Sequence, residues 1–117
     1  YKEKSDFILQ PMTGAATLRG YLAENGFEVQ RETATTENDK VYSVMLCRFD
    51  GIKRKLSPAG KRIGILRPTT DDNKEYIFKQ LKIVEKCIKD LQTTDKNADF
   101  LKENIIAQEE ILKLTEG

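Results

Sequence analysis

Between Asp71 and Leu91 the apolar residues Ile77, Leu81, Val84, Ile88 and Leu91 recur at intervals of four, three, four and three. A strand repeats every two residues, so only a helix gathers these side chains into one stripe. The rhythm is that of a heptad seam. Asp71-Asp72 puts two acids at the positive end of this helix's dipole. Thr93-Thr94-Asp95 interrupts the rhythm. Leu101, Ile105, Gln108 and Leu112 resume it, with Ile111 and Leu114 widening the second stripe. Two such helices joined by a few polar residues are expected to fold back as an antiparallel helical hairpin over residues 71–117. Leu81, Val84 and Ile88 would then face Leu101, Ile105 and Leu112. Three readings stay open: a pair burying its own stripe, a seam through which copies join as a homo-oligomer, and an arm gripping a long substrate.

Residues 1–50 have another texture. Phe7-Ile8-Leu9 is a short apolar run closed by Gln10-Pro11, which suits a buried strand stopped by the proline. Thr13 is expected to cap a helix carrying Ala15, Leu18 and Leu22 on one face, ended by Asn25-Gly26 in a left-handed turn. Phe27 to Gln30 alternates like a half-buried strand, and Glu37-Asn38-Asp39 is turn chemistry. Val41 to Phe49 is almost continuously apolar, as a strand covered on both faces should be. The order is strand, helix, strand, turn, strand: a fold of the α/β class, with one crossover followed by a hairpin. Residues 51–70, broken by glycine and proline, are expected to form an irregular connector.

That connector carries most of the charge asymmetry. The net charge is only +1, yet Arg48 to Arg67 holds seven basic residues and one acid, Asp50, between two mildly acidic parts. Lys53, Arg54, Lys55, Lys61 and Arg62 could track a phosphate backbone, or could make an ordinary solvated loop. No interleaved aromatics point to base stacking. The chain has no histidine, and Cys47 and Cys87 lie forty residues apart, each in an apolar run. This excludes the usual zinc patterns and any histidine triad, so no metal is expected, and both cysteines read as buried free thiols. Glycines 14, 20 and 26 make no phosphate-cradling turn, so no cofactor-binding residue is assigned. Glu109-Glu110 and Asp71-Asp72 fall on helix surfaces, where solvated charge is the ordinary state. No catalytic residue is assigned either. No stretch approaches the roughly 20 apolar residues of a membrane helix. With no signal-peptide pattern in the polar start, no membrane is expected and the chain reads as cytoplasmic. It lacks an initiator methionine and reaches its first apolar run almost at once, as expected of a piece of something longer.

Ile8-Leu9-Gln10-Pro11, then Leu18-Arg19, Leu22, Asn25-Gly26-Phe27 and Lys40-Val41-Tyr42, with Arg62-Ile63-Gly64 further on, form an ordered set. The set resembles the bacterial tRNA (adenine-22-N1)-methyltransferases. Departures are Met12-Thr13 where the family has asparagine soon after Gln-Pro, and Ser43 and Ile65 inside two later motifs. The resemblance implies the C-terminal portion of a class I, Rossmann-like methyltransferase sheet with an appended coiled-coil hairpin. It also implies S-adenosylmethionine as cofactor, tRNA as partner, and methyl transfer to N1 of an adenine. The cofactor loops would lie upstream, leaving this chain inactive alone. Ligands of open α/β sheets sit beyond the carboxyl ends of the strands, so Gln10, Pro11 and, less directly, Tyr42 are the expected rim of the substrate pocket. The rival readings are a stand-alone RNA-binding module and a coiled-coil interaction piece.

Overall fold

Asn38 and Asp39 both take left-handed backbone angles, φ 50° and 65°. Two such residues in succession make the tight turn whose twist suits a β-hairpin. The computed structural model, which describes residues 6–11, 13–92 and 98–116, has β2 (Phe27–Glu37) and β3 (Lys40–Phe49) on either side of that turn. Glu37 pairs with Lys40, and the register runs back to Phe27 opposite Phe49, with a bulge between Val29 and Arg31. β1 (Asp6–Leu9) lies on the other side of β3, antiparallel to it. The sheet order is β1-β3-β2, so β1 and β2 point the same way with β3 inserted between them. α1 (Ala15–Glu24) makes the crossover from β1 to β2. The expected order of elements in this part is therefore present, with β2 seven residues longer than the alternation at 27–30 suggests.

Three local expectations need correction. Thr13 does not cap α1; Gly14, at φ 69°, takes the N-cap position with no side-chain cap. β1 is not buried: it is an edge strand whose Ile8 is 74% exposed. β3 is central but covered on one face only. Ser43, Met45 and Cys47 are buried beneath the helices, while Tyr42, Val44 and Leu46 on the other face are half-buried. Apolar residues on both faces of β3 hide this asymmetry in the sequence.

The connector is not irregular throughout. Pro58–Ile63 forms α2, with the Ser57 hydroxyl accepting from the Gly60 N–H at 3.0 Å and Pro58 opening the first turn. Serine at the N-cap and proline just inside are strong start signals. α3 (Asp71–Leu91) begins where Asp71-Asp72 indicates, capped by Thr70, whose hydroxyl accepts from Asn73 N at 3.1 Å. Asn73 is buried and fastens α3 to the free edge of the sheet: its Oδ1 accepts from Ala34 N at 2.8 Å. Covering an edge N–H in this way blocks stray strand pairing.

α4 (Ala98–Glu116) packs against α3 and α2. The interruption at Thr93-Thr94-Asp95 lies outside the described residues. On α3 the expected stripe is buried at Ile77, Leu81 and Val84, with Ile88 half-buried against it. On α4 the phase differs. Asn104, Ala107 and Ile111 are buried with Leu114 against them, whereas Ile105 and Leu112 are exposed and Leu101 is half-buried. Two overlapping apolar stripes run along α4, and the one carrying the small Ala107 wins because it also meets Ala59 and Ile63 of α2. The pair is therefore not closed on its own seam. One core joins Ala34 of β2, Ala59 and Ile63 of α2, Leu66, and the inner faces of α3 and α4. A second, smaller cluster holds Leu22, Met45 and Cys47, with Leu9, Leu18, Phe27 and Val29 against it. Ile111→Ala should cost about 2–5 kcal/mol, as large-to-small changes in packed cores do. Its neighbour Leu112→Ala should cost about 0.5 kcal/mol or less. Urea denaturation of the two variants checks the phase: equal costs would return α4 to the Leu101–Ile105–Leu112 seam.

Candidate functional site

Between the two clusters lies a buried polar network. Arg19 of α1 and Glu32 of β2 form an ion pair at 2.6 Å with side-chain exposures of 1% and 0%. The guanidinium has five N–H donors and all are used. Its Nε and Nη2 donate to Glu32 Oε2, Nη2 also to the Tyr76 hydroxyl at 2.9 Å, and Nη1 to the carbonyls of Lys61 and Arg62 at 2.8 Å each. Those carbonyls belong to the last turn of α2, where no intrahelical partner exists. Glu32 in turn accepts from Ser43 Oγ and from Ile65 N. Gly64 lies directly over the pair, and a Cβ there would fall 1.9 Å from Glu32 Oε1. The network thus pins α1, α2, α3, β2 and β3 at one point. A fully satisfied pair of this kind is a structural device rather than an acid–base centre. Cys47 beside it is inert: burial, and then the Glu32 carboxylate, push its thiol up from the ordinary range. Cys87 is only half-buried.

The three residues expected at the pocket rim lie toward one end of the sheet. β1 ends with Leu9 opposite Met45, so Gln10 and Pro11 follow alongside the first half of β3, where Tyr42 also lies. Gln10 is exposed and Pro11 half-buried; Tyr42 is half-buried on the face away from the helices.

The basic segment is divided. Lys53 and Lys55 are exposed, whereas Arg54 is turned back onto Asp50 in an ion pair. The hydrogen bonds from Arg54 hold the Asp50 carboxyl below its usual range. Arg48, likewise, is spent on Asp6 at 2.7 Å, tying β3 to β1. Lys61 and Arg62 lie elsewhere, in a cleft of about 730 Å³ between α1 and the α3–α4 pair, with α2 between them. Tyr21 and Phe100 line the same cleft, 60% and 47% exposed. The sequence carries no sign of that meeting, since the two aromatics belong to helices at opposite ends of the chain. Among the described residues no group of His, Cys, Asp and Glu could hold a metal ion, and no helix is long and apolar enough to cross a membrane.

The sequence profile of TrmK, tRNA (adenine(22)-N(1))-methyltransferase, matches residues 1–115. The chain belongs to this family. No curated protein matches it. The TrmK fold is also found by comparison with solved structures. B. subtilis m1A22 tRNA methyltransferase TrmK superposes with TM-score 0.68 at 21% identity, over 93% of this chain and 50% of that one. A Streptococcus agalactiae protein of the NADB-Rossmann superfamily gives TM-score 0.66 at 24% identity, over 92% of this chain and 47% of the other. Streptococcus pneumoniae Sp1610 in complex with S-adenosyl-L-methionine gives 0.64 at 24%, over 92% and 47%. The chain spans about half the length of the structures it matches. Two motifs that carry the TrmK resemblance, Leu18-Arg19 and Arg62-Ile63-Gly64, meet in the network: the arginine of one binds the Arg62 carbonyl of the other, and that of Lys61 just before it, beneath Gly64.

Proposed function

We propose that this chain is the C-terminal part of an enzyme that transfers a methyl group from S-adenosylmethionine to N1 of adenine 22 in tRNA. The family match over residues 1–115 carries the reading. The α/β sheet with its inserted antiparallel strand supports it. The residues present do not fit the cofactor: the turn from Leu9 to Ala15 holds a single glycine, Gly14, and no glycine-rich cradle. The cofactor pocket is therefore assigned to the part of the enzyme that this chain does not cover. When bound, S-adenosylmethionine supplies the electrophilic methyl group. This chain's contribution is positioning, with Gln10, Pro11 and Tyr42 as rim residues that help aim the adenine in a dry pocket. The test is methylation of an unmodified tRNA transcript by the full-length protein with tritiated S-adenosylmethionine. Label is expected with adenine at position 22 and none with guanine there; no label on either overturns the reading.

In the same reading Lys53, Arg54, Lys55, Lys61 and Arg62 contact tRNA phosphates. Arg54 already has Asp50 as a partner, so Lys53 and Lys55 contribute most of the first cluster. Alanine at residues 53, 54 and 55 together should raise the tRNA KM. It should also flatten the salt dependence by about two units rather than three, at roughly one unit per phosphate contact. The KM for S-adenosylmethionine should stay as it was. Unchanged tRNA kinetics would make the segment an ordinary solvated loop.

A further inference from the structure

We infer that the cleft between α1 and the α3–α4 pair receives an unpaired nucleotide of the RNA, its phosphate on Lys61 and Arg62 and its base against Tyr21 and Phe100. The inference rests on the reading that the protein acts on tRNA. At about 730 Å³ the cleft is of the size that holds a small ligand. The α2 backbone that carries its two cations is held in place, because Arg19 grips the carbonyls of both Lys61 and Arg62. The Lys61 stem passes over Gly20 of α1, its Cε 3.7 Å from where a Cβ would stand on that glycine. Large aromatics standing in water beside cations are the combination that reads unpaired nucleotides, the ring stacking on the base and the cation meeting the backbone. Asn104 adds a polar contact. It is buried, lines the cleft and donates its amide N–H to the Phe100 carbonyl at 2.9 Å. Glu24 and Glu103 also line the cleft, so its charge is balanced. That disfavours a duplex, with its dense phosphate charge along both strands, and suits one nucleotide whose base edge offers amino donors.

The test uses the full-length protein and a fluorescein-labelled unmodified tRNA transcript, with binding read by fluorescence anisotropy. Tyr21→Ala and Phe100→Ala should each weaken binding roughly tenfold, the scale of one lost base stack. Tyr21→Phe keeps the ring and should bind as the wild type does. Phe78→Ala, which removes an exposed ring that does not line the cleft, should also change nothing. The kcat at saturating tRNA and the KM for S-adenosylmethionine should be unaltered. Photo-crosslinking of 4-thiouridine-substituted tRNA to the wild type gives a second readout free of any substitution. Cross-linked peptides from α1 and α4 are expected. Unchanged affinity in both alanine variants, or cross-links confined to the Lys53–Lys55 segment, overturns the cleft while leaving the tRNA reading standing. A wild-type protein that neither binds nor methylates tRNA overturns both.

Discussion

Arg19→Met should destabilise the protein by about 3–5 kcal/mol, the cost of breaking a buried ion pair by removing one partner. Both side chains are out of water, so solvent does not weaken the effect. The substitution strands the Glu32 carboxylate, and it also leaves the Lys61 and Arg62 carbonyls and the Tyr76 hydroxyl without their donor. Glu32→Leu should be similarly costly, because the guanidinium is then buried without its counter-charge. The double variant should cost less than the sum of the two, since an apolar pair replaces an ionic one. It will not recover fully while the two α2 carbonyls lack partners. Urea denaturation of the wild type, both single variants and the double variant measures this directly. Single variants within about 1 kcal/mol of wild type would show that the network does not hold these elements together.

Gly64→Ala comes next in size. At φ 59° and ψ −132° the residue sits where side-chain-bearing residues are strained, at about 1–3 kcal/mol. The new methyl also meets Glu32 and Arg19, which cannot yield without breaking their own bonds. A loss of about 2–5 kcal/mol is expected once overpacking is added. Gly14→Ala is the control, because Gly14 has φ 69° but nothing within 4 Å of an added Cβ. It should show the backbone strain alone, about 1 kcal/mol. Gly64→Ala should also cost less in a Glu32→Ala background, where the obstructing carboxylate is gone. Equal melting losses for the two glycine variants would contradict the packing account.

What could be read from the sequence follows the range of the interactions. The hairpin turn at Asn38-Asp39, the end of α1 at Asn25-Gly26 and the start of α3 are decided within a few residues, and each lies where the sequence indicates. α2 was equally legible: Ser57-Pro58 is a helix start, obscured by the glycines around it. The phase of α4 was not, because Leu101–Ile105–Leu112 and Ala107–Ile111–Leu114 are both credible stripes and only the position of α2 chooses between them. Arg19 and Gly64 could be recognised as motif residues but not explained. Their partners are brought together from distant parts of the chain, and no local pattern records that a surface-type arginine will be the most enclosed side chain in its helix. Tyr21 and Phe100 were out of reach for the same reason.

The position of the ionic network along β3 also bears on how the chain comes apart. On the helix-facing side of that strand, Cys47 and Met45 belong to one apolar cluster, Ser43 to the network and Val41 to the other cluster. Two small cores in series would ordinarily be free to melt separately, the less stable one opening while the other persists. Here neither can open alone. Lifting α3 and α4 away takes Tyr76 from Arg19, and peeling α1 from the sheet leaves Glu32 as an enclosed anion. Either partial opening leaves polar groups stranded in the half that remains, so the buried charges act as a latch between the cores and favour loss of both in a single transition.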